Sequence, residues 1–467
     1  MTDPTTPDPT TSSSAYEVTT TSTASSNETQ AAESMIDPSS EQAAGSLCQR
    51  SFVGFLTTQF FGAFNDNLFK QLLLLLAIPT VAAGQPQGPD LQGVATVVFG
   101  LPFVIFGGLA GFCADRTSKR FIIVAAKWGE TLIMLLGLAA FLMTPMIGFV
   151  GLWVVLFLMG LQSTFFGPGK YGILPEMLPR SQLSRANGLV LMTTFIAIII
   201  GTAVAGPLKD AIVPAGMPAM QAAPGLWIAS LVCVGIALVG VVTAHLIAPV
   251  RVAAPDLKFR TEMLGIPKTM RDLLRADRPL LMALLASCAF WLIAGLTIQA
   301  VNSLGKVQLG LSDTKTSLMV SLISVGIAAG GGVAGWLSRR LSDGRIIRAG
   351  MFGVVGFCAL LSVTLPGGRH LLGFVGGIPV LMLLGASAAF FAIPIQVFLQ
   401  ARPPEALKGR MIAVMNQANF FAIVMSGLAY IIIDLAITNL GWPRSTVFAV
   451  MAVAFLPVAI FYRLDET

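Results

Sequence analysis

Asp66 and Lys70 are the residues in this chain best placed to do chemistry. Both sit inside an apolar run, Asp66 about fourteen residues from its start. At 1.5 Å per residue that is about 21 Å along a helix, deep in the hydrocarbon of a bilayer. A carboxylate there is costly to desolvate and marks a binding or ion-handling position. Gln59, Ala63, Asp66 and Lys70 recur at helical spacing and share one face, expected to look into a central cavity. Asp66 is thus either a group that handles substrate or protons, or half of an i, i+4 pair with Lys70 that satisfies itself. Asn65 and Asn67 flank it and can contact substrate or hydrogen-bond between helices. Further polar candidates in apolar runs are Gln162, Gln299 and Gln396. None of these patterns has metal-ligand spacing. With two histidines in the chain (His245, His370) an imidazole-based catalytic or metal cluster is not expected.

A second set of charges lies at the ends of apolar runs. Asp115, Arg116, Lys119 and Arg120 follow Gly107 and Gly111; Lys170, Glu176 and Arg185 lie between two runs; Arg410 opens another. Paired glycines four residues apart allow close helix approach. Asp115 can face a helix amino terminus, where the dipole favours an anion. These residues are gate candidates, with Arg410, Lys170, Arg185 or a helix dipole as partners of Asp115.

The elements that must position them are membrane helices. Apolar residues make up 55% of the 467 and charged residues 11%. Twelve runs are long enough to span a bilayer core: about 52–78, 91–114, 120–143, 147–168, 186–208, 225–248, 279–303, 316–338, 345–365, 371–399, 410–435 and 443–463. No alternating barrel pattern is present, so helices are the form that satisfies the backbone in lipid. With the amino terminus inside, 22 Lys and Arg fall on the cytoplasmic side and 5 on the other, which places both termini in the cytoplasm. Residues 1–50 form a Ser/Thr-rich tail with the composition of a disordered segment and no basic region for a secretory signal. Residues 51–248 and 279–467 are two six-helix halves. The segment 249–278, with seven basic residues and an amphipathic stretch at 259–275, is a cytoplasmic linker. Five cysteines without paired spacing imply no disulfide.

The halves resemble each other. Phe165-Phe166-Gly167-Pro168 followed by Arg185 returns about 225 residues later as Phe390-Phe391-Ala392-Ile393-Pro394 followed by Arg410. Gly107 and Gly111 with their trailing basic residues return as Gly331 and Gly335 with Arg339, Arg340 and Arg345. Such duplication is typical of carriers with a site between the halves.

Gly111, Asp115-Arg116, Ser118 and Lys119-Arg120 resemble the signature loop of the major facilitator superfamily, with Ser118 where that pattern has Gly. A narrower resemblance, over roughly residues 50–460, is to the bacterial lysophospholipid transporter family. It rests on Phe64-Asn65-Asp66-Asn67, on Gly167 through Glu176 with Arg185-Ala186-Asn187-Gly188-Leu189, and on Phe390 to Pro394. The resemblance implies an all-α membrane protein with twelve helices in two pseudo-repeats. It implies transport of lysophospholipids across the inner membrane by alternating access, for re-acylation by a separate acyltransferase. No cofactor, metal, enzymatic activity or nucleic-acid partner is expected; the partners are the lysolipid and membrane lipids. The competing readings are an exporter of drugs or other small amphiphiles and, from another class, a membrane scaffold or sensor without transport.

Overall fold

The computed structural model describes residues 47–463, apart from 83–84, 251, 253, 258–264 and 405–406. The tail before residue 47, and most of the stretch expected to be amphipathic before Lys268, lie outside the described residues.

Twelve long helices follow in order: α1 (Arg50–Ala77), α2 (Gln92–Arg116), α3 (Lys119–Ile147), α4 (Val150–Gly172), α5 (Arg180–Ile212) and α6 (Trp227–His245), then α7 (Arg278–Ser303), α8 (Asp313–Leu337), α9 (Asp343–Ser362), α10 (Gly373–Ala401), α11 (Lys408–Leu440) and α12 (Thr446–Phe461). Among the described residues ten helices are long and apolar enough to cross a membrane, α6 counted with the short helical turns before it. The two others differ for identifiable reasons. Asn65, Asp66, Asn67, Lys70 and Gln71 lower the hydropathy of α1, and α12 has 16 residues. A short hairpin, β1 (Thr80–Ala82) against β2 (Gln85–Gln87), links α1 to α2. A nine-residue helix, Lys268–Ala276, precedes α7 and buries Met270 and Leu274 in the second half.

The helices stop where the backbone requires it. Gly148 ends α3 with φ of 63° and Gly441 ends α11 with φ of 66°, both in the left-handed region that glycine enters without steric cost. Prolines sit inside α2, α3, α4, α5, α10 and α12. Packed neighbours re-satisfy the carbonyls a proline frees, which makes it tolerable in membrane helices.

Packing repeats the sequence duplication. In the first half α1 packs on α5 and α6, and α4 packs on α2 and α3. In the second half α7 packs on α11 and α12, and α10 packs on α8 and α9. The main contacts between halves are α2 with α11 and α5 with α8, which the pseudo-symmetry exchanges. Here the end bearing the 246–267 connection is called the linker end and the opposite one the distal end.

Candidate functional site

Between the halves lies a cavity of about 100 Å³ of free space, lined by α1 and α5 on one side and chiefly by α7, α8 and α10 on the other. Its two walls differ in chemistry. The first half contributes Asn67, Lys70, Gln71 and Thr202. The second contributes mostly apolar groups, among them Phe290, Ile323, Leu384, Phe391 and Phe455. A polar end faces an apolar end across a space that both halves must form.

The face predicted on α1 splits. Lys70 and Asn67 line the cavity. Gln59 is fully buried; its amide donates to Thr193 at 2.5 Å and accepts from Thr194 at 2.8 Å, both on α5. Asp66 accepts a 2.6 Å hydrogen bond from Ser163 of α4. Lys70 forms no ion pair among the described residues, so the self-satisfying Asp66–Lys70 pair is not made. Its ammonium stands 5.2 Å from the centroid of the Phe99 ring instead. Asn65 donates to Glu130 at 2.8 Å. Of the glutamines, Gln162 donates to Ala126 O at 3.2 Å and Gln299 to Gly295 O at 3.1 Å. Gln396 is half-buried. None of the three is among the lining residues. A glutamine in an apolar helix can satisfy itself on a neighbouring carbonyl, so its presence does not report a cavity.

Behind Asp66 lies a charge pair that the sequence reading left without a role. Lys127 and Glu130 on α3 are each 1% exposed and pair at 2.5 Å. The ammonium sits against Gly62 of α1, where any Cβ would collide with it. Glycine at 62 is therefore the room the lysine needs. The available signal was two opposite charges at i, i+3 within one apolar run.

At the linker end no ion pair joins gate candidates of the two halves among the described residues. Lys119 pairs with Glu176 within the first half. Lys170 donates to Thr194 at 2.9 Å. Asp115, Arg116, Arg185 and Arg410 are exposed. Asp115 has no ion pair among the described residues; its carbonyl accepts from Ala254 N at 2.9 Å. The Arg120 Nε is buried without a partner. A Cβ built on Gly107, Gly111 or Gly335 meets nothing within 4 Å. The close approach expected at those glycines is not made in this state, because the halves part at that end.

They meet at the distal end. A Cβ on Gly93 of α2 would lie 2.6 Å from Gly427 O of α11, so the two backbones touch there. Farther along the same seam, Phe103 stacks on Phe420 with centroids 3.6 Å apart. On the α5–α8 seam, Asp313 pairs with Lys209 at 3.2 Å and Lys306 at 2.8 Å. Asp210 accepts from Asp313 N at 3.2 Å and Thr314 N at 2.8 Å, placing its carboxylate on the positive end of the α8 dipole. Gln71 donates to Asn302 at 2.9 Å, and Tyr430 donates to Asp90 at 2.8 Å. Burial raises Asp90 above the usual carboxylate range, against hydrogen bonds from Gln92 and Tyr430 and the charge of Arg444. The acids of this latch, Asp90, Asp210 and Asp313, were not singled out from the sequence. Their signal is acids at run ends on the side poor in basic residues.

A two-walled cavity between pseudo-symmetric six-helix halves, closed at one end, is the geometry of an alternating-access carrier. The Major Facilitator Superfamily model matches residues 55–427, and the chain belongs to that superfamily. Solved carriers share its fold: a POT family transporter in complex with a thioalcohol conjugated peptide (TM-score 0.65, 14% identity, covering 87% of this chain and 94% of that one) and the nucleoside transporter NupG (TM-score 0.62, 14% identity, 88% and 97%). More similar in sequence are the lysophospholipid transporters LplT of Cronobacter sakazakii, 30% identical over 86% of this chain and 94% of that protein, and of Salmonella arizonae, 29% identical over 82% and 88%. Within the superfamily, the chain is a member of the LplT lysophospholipid transporter family.

Proposed function

We propose that this protein carries lysophospholipids across the bacterial cytoplasmic membrane by alternating access, delivering them to the inner leaflet for re-acylation by a separate enzyme. The observation that carries this reading is the asymmetry of the cavity. A lysophospholipid has a charged headgroup and one acyl chain. Lys70, Asn67 and Gln71 suit the former, and the apolar wall of the second half suits the latter. No covalent change of the substrate is involved, and any acyl transfer belongs to another protein. The names of the relatives support a lysolipid rather than a drug as cargo.

The excess of basic residues at the linker end makes that end cytoplasmic, with both termini inside and 249–278 as a cytoplasmic linker. The state described is then closed toward the periplasm. Asp115 and Arg410 are separated in it and are taken to meet when the cytoplasmic side closes. The test is reconstitution in liposomes with a fluorescent lysophospholipid, read by accessibility to a quencher. Protein-dependent movement of unmodified lipid is expected. A protein that moves drugs and never lysolipid overturns the reading.

A further inference from the structure

The short helix Lys268–Ala276 has two faces of different character. Met270 and Leu274 turn inward and belong to the core of the second half. Lys268, Arg271 and Arg275, at i, i+3 and i+7, share the outer face and are exposed. Arg278, which opens α7, is exposed too. None of the four forms an ion pair among the described residues. Two acids lie nearby. Asp272 is exposed on the same helix, and Asp277 caps Leu280 N at 3.1 Å and pairs with Arg402 at 2.7 Å. The four bases therefore exceed their acid, Asp272, by three charges.

The side of α7 below Arg278 shows what this surplus faces. Arg278, Met282 and Leu285 recur at i, i+4 and i+7 and share one face of the helix. Met282 is 45% exposed and Leu285 51%. The cavity-lining residues of α7, among them Phe290, Ala294 and Thr297, lie about 120–180° round from Leu285 at roughly 100° per residue. The Arg278 face is thus turned away from the substrate path, and in a bilayer its apolar side chains meet acyl chains. A cation at the end of such a face stands at the level of the headgroups. Arg275 is three residues away, so its Cα is within about 11 Å of that of Arg278, and the two long side chains can reach one phosphate. A charge excess that served topology alone would need no such alignment with the lipid-facing side of α7. A soluble acidic protein would meet the arginines and leave Met282 and Leu285 uncovered; a phospholipid covers both.

We propose that this face is a binding surface for a diacyl phospholipid with an anionic headgroup. The phosphate sits on Arg275 and Arg278, Arg271 adds to the field, and an acyl chain runs along Met282 and Leu285. This lipid is resident and not cargo, so the proposal stands whichever molecule the cavity carries. The test uses the full chain in detergent, titrated with dioleoylphosphatidylglycerol or dioleoylphosphatidylcholine, with the midpoint of thermal unfolding as readout. Half-maximal stabilisation should need about tenfold less of the glycerol lipid, since one basic residue near an anionic surface is worth about fivefold. The triple variant Arg271→Gln, Arg275→Gln, Arg278→Gln should lose that preference, and the corresponding triple Lys variant should keep most of it. All three side chains are exposed, so both proteins are expected to fold. Salt at about 1 M should weaken the preference, because screening then acts within about 3 Å. Equal response of the parental protein to the two lipids overturns the proposal, as does a preference that survives in the Gln variant. Inorganic phosphate that reproduces the stabilisation would show a site for a free anion instead. A soluble polyglutamate that stabilises where the glycerol lipid does not would show a surface for an acidic protein, and either result overturns the lipid.

Discussion

Burial of the Lys127–Glu130 pair makes it a stability element whose two members cannot be removed singly. Each side chain is 1% exposed, so deleting one leaves its partner charged in a dry interior. Breaking a buried pair costs about 3–5 kcal/mol, whereas replacing both partners by apolar groups is often neutral. Glu130→Gln is therefore expected to lower the midpoint of thermal unfolding in detergent sharply. Lys127→Met combined with Glu130→Leu should recover most of the loss. A single and a double variant of equal stability would show the pair to be energetically idle. Asp90 supplies a prediction of a different kind. It is held between α11 and the first half, faced by the hydroxyl of Tyr430 and by the charge of Arg444, itself paired with Asp434. Its raised pKa belongs to the distal-closed state, so that state binds the proton more readily than an open state in which Asp90 is hydrated. Distal closure should accordingly strengthen as pH falls and weaken as pH rises from the ordinary carboxylate value of ~4 through the raised one. Spin-label distances across α2 and α11 over pH 4–8 measure this, and Asp90→Asn should flatten the dependence. Both residues show what a sequence conceals at this scale. Asp66 and Lys70 were legible because charge inside an apolar run is conspicuous. Which partner each would choose was not, because spacing on one helix fixes a face and not what packs against it.

Helices rather than residues decide where the halves touch. The long apolar helices were legible because a bilayer demands about 20 apolar residues from each span and because lipid leaves helices as the backbone solution; of the twelve expected spans, ten are long and apolar enough to cross among the described residues. The halves were legible from the repeated Phe-Phe and Arg landmarks. What could not be read was which glycines bring helices together in this state. Gly107 and Gly111 have the spacing of a contact motif, yet nothing stands within 4 Å of a Cβ on either. Gly93 and Gly427 carry no such pattern and touch backbone to backbone, because they lie where α2 and α11 converge at the distal end. A side chain at Gly427 acts there as a wedge. Gly427→Leu should hold the distal seam open and cut transport severely while the two halves still fold, since each keeps its own core. Gly111→Leu, in the parted segment, should leave this state unchanged and instead hinder closure of the linker end. Opposite shifts in the α2–α11 label distances at the two ends are the expected result. A Gly427→Leu protein with the parental distance would show that this contact is incidental.

At the scale of the whole molecule, transport requires two sets of contacts that exclude each other. One set is formed in the described state: Asp313 with Lys209 and Lys306, Asp210 on the amino end of α8, Gln71 with Asn302, and Tyr430 with Asp90. The other set must form at the linker end when these break. Asp115, near the linker end of α2, is exposed and forms no ion pair among the described residues while the distal latch is shut. If it is a gate acid as proposed, its contribution belongs to the opposite state. One charge at a partly buried helix end is worth about 1–2 kcal/mol, so losing it should shift the equilibrium about tenfold toward the distal-closed state. Asp313→Asn removes the carboxylate that two lysines share and should shift the equilibrium the other way. The sites are at opposite ends of the molecule and share no partner, so their effects should add. A cysteine placed at Ser324, which lines the cavity, reports the balance through its labelling from the linker end. Asp115→Ala should raise that labelling, Asp313→Asn should lower it, and the double variant should return it toward the parental value while each single variant is slowed in transport. If both single variants move the labelling in one direction, the two ends are not reciprocal gates. If Asp115→Ala leaves labelling and transport unchanged, the acid serves only to set the topology of its loop.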